Sequence, residues 1–397
     1  MSTDLTDQDK HTPRSAAESE EGSKATAGQD RPELQKILEE IVDSGFVGME
    51  LRVHDERGEW VGSAGAGVLG EPAPPSTDGH IRIGSNTKTF VATTVLGLVA
   101  EDMVALDAPV ARYLPDLEID PRITVRMLLQ HTSGIFNFTG EIYAADADVE
   151  GIPWNGATLV PGIPWQGKQW VDTRFTHYTT EHLARLALSR PARFEPGTDW
   201  SYSNTNYALA RLIVEKVTGR TLAEEMQRLV LSPLGLTQTQ VPDGSSIPEP
   251  HAHAYYRYEE DGRETTVDVS VQDPSWISSG GDMISTTRDL HLFISGLTSG
   301  RLLPAPLLAE MLTPLPPAGY GLGVFVQDTG QGTVITHNGG IAGHGALMYS
   351  TPDGATTMTA GLNYVDDAAM SLGAAFQTVL QRLVDEVFGG PATTHAG

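Results

Sequence analysis

No cysteine occurs in the 397 residues, which excludes thiol nucleophiles, disulfides and cysteine-based metal sites together. Basic residues are scarce. Twenty-six Lys and Arg against 51 Asp and Glu leave a formal net charge of −25, with no basic cluster to interrupt the excess. Nucleic acid and anionic membrane are therefore poor partners. Nor does any segment reach the roughly 18 to 20 uninterrupted apolar residues of a membrane span. The opening stretch, "MSTDLTDQDKHTPRSAAESEEGSKATAGQD", lacks the apolar run of a secretory signal and reads as a disordered arm over residues 1–31. These absences predict a cytoplasmic protein.

What is present predicts an α+β fold. "PELQKILEEIVDSG" carries Leu34, Ile37, Leu38 and Ile41 at helical spacing. "FVGMELRVHD" and "GEWVGSAGAGV" read as strands joined by the turn "DERG". The middle of the chain is rich in helical patterns, such as "NTNYALARLIVEKVTG", interrupted by a Trp-rich loop over residues 143–178. From about residue 268 strands return in "GYGLGVFVQD", "GTVITHNGG", "HGALMYSTPDG" and "TTMTAGLNY", followed by an amphipathic helix from about Ala368 to Phe388. The simplest topology is an antiparallel sheet built from both chain ends (32–97 plus 268–397), flanked by helices, with a mostly helical domain (98–267) inserted.

Three short stretches carry candidate chemistry. In "GSNTKTF" a serine and a lysine stand three apart at the start of a long apolar run. Ser85 or Asn86 could be an ordinary helix cap, but Lys is disfavoured at the positive end of a helix dipole. At i and i+3 the two side chains share a face, so Lys88 can reach the Ser85 hydroxyl as its base. In "DWSYSNTNYALA", Tyr202 and Asn204 precede a strong helix; in "HNGGIAGHG", His337 opens a glycine-rich strand end. Each has a bland reading as a cap or turn. His251 and His253 form an H-x-H pair in a polar loop with no third ligand in sequence, a pattern more often solvated than metal-binding. No metal and no cofactor is expected.

S-x-x-K, then Y-x-N, then H-x-G before a final helix resembles the serine penicillin-recognising superfamily of D-alanyl-D-alanine carboxypeptidases, class C β-lactamases and their esterase relatives. The resemblance covers about residues 35–388, with support from "LLQHTSGI", "ISTTRDL" and "GYGLG". It implies a β-lactamase-like fold. Ser85 would be an acylated nucleophile, Lys88 its neutral base and Tyr202 the proton carrier to the leaving group. The backbone N–H groups of Ser85 and Gly340 would form the oxyanion hole. Asn204, His337, Asn338, Gly339, Trp276, Phe325 and Phe136 would line the substrate. His337, which replaces a lysine of related motifs, can be neutral at pH 7, and its protonation would produce an acid limb in activity. His131, in "QHTSG", is expected to be a structural helix end away from the chemistry.

The carboxypeptidase branch holds a terminal carboxylate with an arginine on the strand after "GYGLG" and with hydroxyls in its third motif. Here Phe325 stands at the arginine's place, Asn338 and Gly340 replace two threonines, and no Arg or Lys occurs from 302 to 381. A buried carboxylate without a partner is costly. The expected substrate is a neutral ester or amide acyl donor, with an amine acceptor if the reaction is a biosynthetic acyl transfer. The Trp-rich loop would either shield such an acceptor from water or simply pack onto the helical domain. The alternatives are a carboxypeptidase or β-lactamase, which needs a cation such as Arg174 or Arg257 from another segment, and an inactive ligand-binding member.

Overall fold

Residues 30–154 and 156–389 are described by a computed structural model. The arm predicted for residues 1–31 lies outside them except for its last two residues. Arg31, the last residue of that predicted arm, is buried and ion-paired instead.

Six antiparallel strands form the main sheet in the order Phe325–Asp328, Thr333–Ile341, His344–Ser350, Thr357–Asn363, Gly48–Asp55, Gly58–Gly65. The two chain ends meet where Leu51 pairs with Ala360 and Val53 with Met358. Alternation sorts the side chains into two cores. Met49, Leu51, Val334, Leu347, Met358 and Leu362 face the helices Pro32–Asp43 and Gly373–Phe388. Ile335, Ile341, Ala346 and Met348 face the larger core around the helix Thr87–Ala100. That helix has no polar face: from Ile81 to Leu98 every residue is buried except Ser85. Its two sides are covered by the helices Asn204–Thr218 and Leu222–Met226 and by Gly323, where a Cβ would stand 2.5 Å from Ala92.

The inserted region is less helical than predicted. The strands Gly140–Ala144, Ile152–Trp154 and Ala157–Pro161 form a small antiparallel sheet inside the Trp-rich loop, followed by the helix Gly167–Thr173. Tyr255–Glu260 and Arg263–Asp268 form a hairpin whose turn residues Asp261 and Gly262 both have positive φ, the demand of a tight two-residue turn. Val365–Asp367 adds to this hairpin in parallel, so the last helix starts at Gly373 rather than near Ala368. Among the described residues no helix is long and apolar enough to cross a membrane.

Candidate active site

Ser85 sits in a single turn of 3-10 helix, Gly84–Asn86, immediately before the buried helix. Neither Ser85 nor Asn86 caps that helix with its side chain, so the bland reading of the motif does not hold. The Lys88 Nζ lies 3.3 Å from Ser85 Oγ. It donates to Asn204 Oδ1 at 2.7 Å and to the Gly280 carbonyl at 2.6 Å. Both are pure acceptors. A neutral amine has two hydrogens and one lone pair, so this arrangement leaves the lone pair for the serine hydroxyl. Burial drives the Lys88 pKa well below its ordinary value, while the Asp282 carboxylate opposes the shift.

The Gly280 carbonyl has no counterpart in the sequence reading. It is presented by the buried turn that contains Ser279, a non-glycine residue at φ 52°, and closed by the Ser279 N–H on Asp282 Oδ2 at 2.9 Å. A Cβ on Gly280 would stand 2.8 Å from Asn204 Oδ1, so the close approach needs glycine. Asn204 is oriented in turn by Asn137 and Thr139: Asn137 Oδ1 accepts its backbone N–H at 3.1 Å, and Thr139 Oγ1 accepts from Nδ2 at 3.2 Å. These two residues hold Asn204 in place. Phe136 itself is buried, and its carbonyl accepts from Thr205.

Tyr202 is half-buried with its hydroxyl enclosed, and its ring lies 4.5 Å from Lys88 Nζ. Its hydroxyl lies within reach of Ser85 but has no well-aligned partner among the described residues. Burial raises its pKa, so the phenol keeps its proton and can donate it. His131 adopts a left-handed conformation at the end of the helix Val125–Gln130, as expected of a helix end. It is not remote from the cluster. Its ring lies 4.4 Å from Tyr202, and its Nδ1 accepts from the Ser203 N–H at 3.2 Å and from Asn206 Nδ2 at 3.1 Å.

On the strand Thr333–Ile341, pairing with Phe325–Asp328 stops at Thr336, which leaves 337–341 as a free edge toward Ser85. A Cβ on Gly84 would stand 2.5 Å from the Gly340 nitrogen, and one on Gly339 would collide with the Ile83 carbonyl. Only glycines let this edge lie against the start of the helix, where the N–H groups of Ser85 and Gly340 come together. His337 shares the Gly339 face. Its Nδ1 donates to the Asn338 carbonyl at 2.9 Å, so Nε2 accepts from the Tyr320 hydroxyl at 3.2 Å. Burial and the nearby Lys88 push its pKa down to about 3, so it stays neutral over the working range and cannot supply the expected acid limb.

The Asn338 side chain points to the opposite face and donates to the Tyr349 hydroxyl at 2.8 Å. Phe325 packs edge-on against Tyr320, with centroids 4.6 Å apart, and lies 5.5 Å from His337. Trp276 is a core residue, its indole donating to Gln272 and its ring 6.2 Å from Trp170. Trp170 is likewise buried in the core, so this part of the aromatic loop is structural. Arg257 is engaged by Asp367 at 2.7 Å, and Arg174 by the Val171 carbonyl at 2.6 Å. His253 pairs with Asp268, and His251 lies against the Pro248 carbonyl.

A family model described as Beta-lactamase matches residues 34–380. A crystal structure of a D-stereospecific amidohydrolase from Streptomyces sp. is 34% identical, with a TM-score of 0.74 over 91% of this chain and 100% of that one. The D-amino acid amidase from Ochrobactrum anthropi SV3, complexed with D-phenylalanine, is 25% identical, with a TM-score of 0.74 over 90% of this chain and 98% of that one. Esterase EstB of Burkholderia gladioli is 35% identical over 173 residues, which span 41% of this chain and 38% of that protein.

Proposed function

Because the chain belongs to the β-lactamase family, we propose that it is a serine acyl hydrolase of esters or amides that lack a free carboxylate, with Ser85 as nucleophile. The observation that carries this reading is the hydrogen-bond set of Lys88, whose two acceptors leave a lone pair facing the one accessible side chain in a buried run. Ser85 Oγ attacks the carbonyl carbon and its proton passes to Lys88. The tetrahedral oxyanion is held by the N–H groups of Ser85 and Gly340. The bond to the alcohol or amine then breaks, and Tyr202 relays the proton to the leaving group. Water reverses the steps and frees the acid. An amine entering in place of water gives acyl transfer, the second outcome open to the same acyl-enzyme.

Choice of a substrate without a carboxylate is supported by the surroundings of Phe325 and His337. Both are packed among aromatic rings, His337 stays neutral, and Arg257 is paired with Asp367. The amidase and esterase likenesses agree with it. Intact-mass spectrometry with a fluorophosphonate and a panel of p-nitrophenyl esters and D-amino acid amides tests the reading. One adduct per chain is expected, absent in Ser85→Ala; an adduct that persists in the variant sinks it. Product ratios with an added primary amine measure transfer against hydrolysis.

A further inference from the structure

A cavity of about 310 Å3 begins at Gly339 and Gly340 and runs to the far side of their strand edge from Ser85. Phe46, Leu372 and Phe376 give it apolar walls, and Asp366 and Asp367 line it as well. There Asp366 stands in the short strand Val365–Asp367, its carboxylate accepting the backbone N–H groups of Asp367, at 2.9 Å, and Gly343. The neighbouring Asp367 is neutralised by Arg257. Asp366 has no such partner: among the described residues no Lys, Arg or His contributes to its ionisation, and Asp367 opposes it. A part-buried carboxylate with two N–H donors and no cation is an incomplete site. Gly339 and Gly340 are thus shared between the strand edge that faces Ser85 and the rim of the cavity.

We propose that this cavity receives a protonated amine carried by the substrate, with the Asp366 carboxylate as its counter-charge. The proposal rests on the reading of Ser85 as the nucleophile and names the substrate class of the same site. The formal charge of −25 works in the same direction, because it attracts cationic and repels anionic molecules on approach. Burial holds the Asp366 pKa at about 6, which leaves the group ionised near pH 8, where the amine is still charged.

Two measurements decide. Calorimetry with 2-phenylethylamine and 2-phenylethanol reads the cavity without requiring turnover. The amine should bind at least about tenfold tighter, as one charge-assisted hydrogen bond provides, and Asp366→Asn should erase the difference. Asp366→Ser, which empties the position, gives the same reading should the Asn variant not fold. Equal binding of amine and alcohol, or a preference that survives both variants, overturns the proposal. The kinetic arm compares kcat/KM for D-phenylalaninamide with its N-acetyl derivative, and for 4-(aminomethyl)phenyl acetate with its acetamide. An Asp366-dependent preference in the first pair places the amine on the acyl portion; in the second, on the leaving group. No such preference in either pair also overturns it. Absence of any Ser85 adduct would instead remove the serine mechanism, with the binding ratio still deciding the cavity.

Discussion

A protonated amine loses its hydration on burial, and the carboxylate whose charge acts on Lys88, that of Asp282, is itself buried, with its pKa raised by that burial. Both groups therefore move toward neutrality. For Lys88 the neutral form is the base, so the rate of acylation should fall as pH drops through its depressed pKa. Lys88→Ala should lower that rate by roughly a hundredfold or more, the scale of a positioned proton-transfer group. His337→Gln should leave the midpoint of the acid limb in place, because an imidazole held at about 3 has no proton to gain across it. The pH dependence of kcat/KM on a neutral ester checks both. An acid limb that moves with His337→Gln would transfer the titration to that residue. That Ser85, Lys88 and Tyr202 come together was legible in the sequence, because side-chain type and spacing mark them as candidates. The Gly280 carbonyl was not, since a backbone acceptor leaves no mark in residue identity, and the closeness of His131 to Tyr202 is made by a fold that joins segments 71 residues apart.

At the scale of elements, the edge strand and the start of the helix are fitted through glycine. A Cβ at position 339 has nowhere to go, since the Ile83 carbonyl and the Ser85 nitrogen already occupy its place. A Cβ at 340 meets only the Tyr364 hydroxyl at 3.7 Å and the His344 carbonyl at 3.9 Å, ordinary contacts. Gly339→Ala should thus push the strand off the helix and lower acylation by about a hundredfold or more, as loss of an oxyanion donor does. Gly340→Ala should cost much less. Labelling rates for the two variants, with circular dichroism as a check on folding, test the contrast; equal losses would mean the edge is not seated through Gly339. The main strands and helices were readable because burial on one face imposes a period of two or 3.6. The small sheet from 140 to 161 was not, because its Pro and Gly content masks alternation. The hairpin around Asp261 and Gly262 carried a readable turn signal that the helical surroundings obscured.

The whole molecule depends on joining its two ends, and Arg31 stands at that junction. It is buried, donates to Asp55 at 2.8 Å at the end of the first strand and to Glu33 at 3.0 Å, and lies 3.9 Å from Glu386 on the last helix. Glu33 and Glu386 are more than a third and about a third exposed, so water screens them, and the pairing with the nearly buried Asp55 dominates. Removing one partner of a buried pair costs about 3–5 kcal/mol, since the other charge remains. For a domain of this size that corresponds to a Tm roughly 4–7 °C lower in Arg31→Ala. The effect should depend on pH. Burial alone would raise the Asp55 pKa, but hydrogen bonds from Arg57 and the charge of Arg31 outweigh it and leave the pKa lowered. A depressed carboxylate contributes stability above its unfolded pKa of about 3.9, and that contribution is lost as pH falls through the folded value. The gap in Tm between wild type and Arg31→Ala should therefore be full at pH 7 and narrow below about pH 4. Differential scanning calorimetry from pH 3 to pH 8 gives the answer: a gap that is absent at neutral pH, or constant throughout, would show that the chain ends are held by apolar packing between the first and last helices and not by this charge cluster.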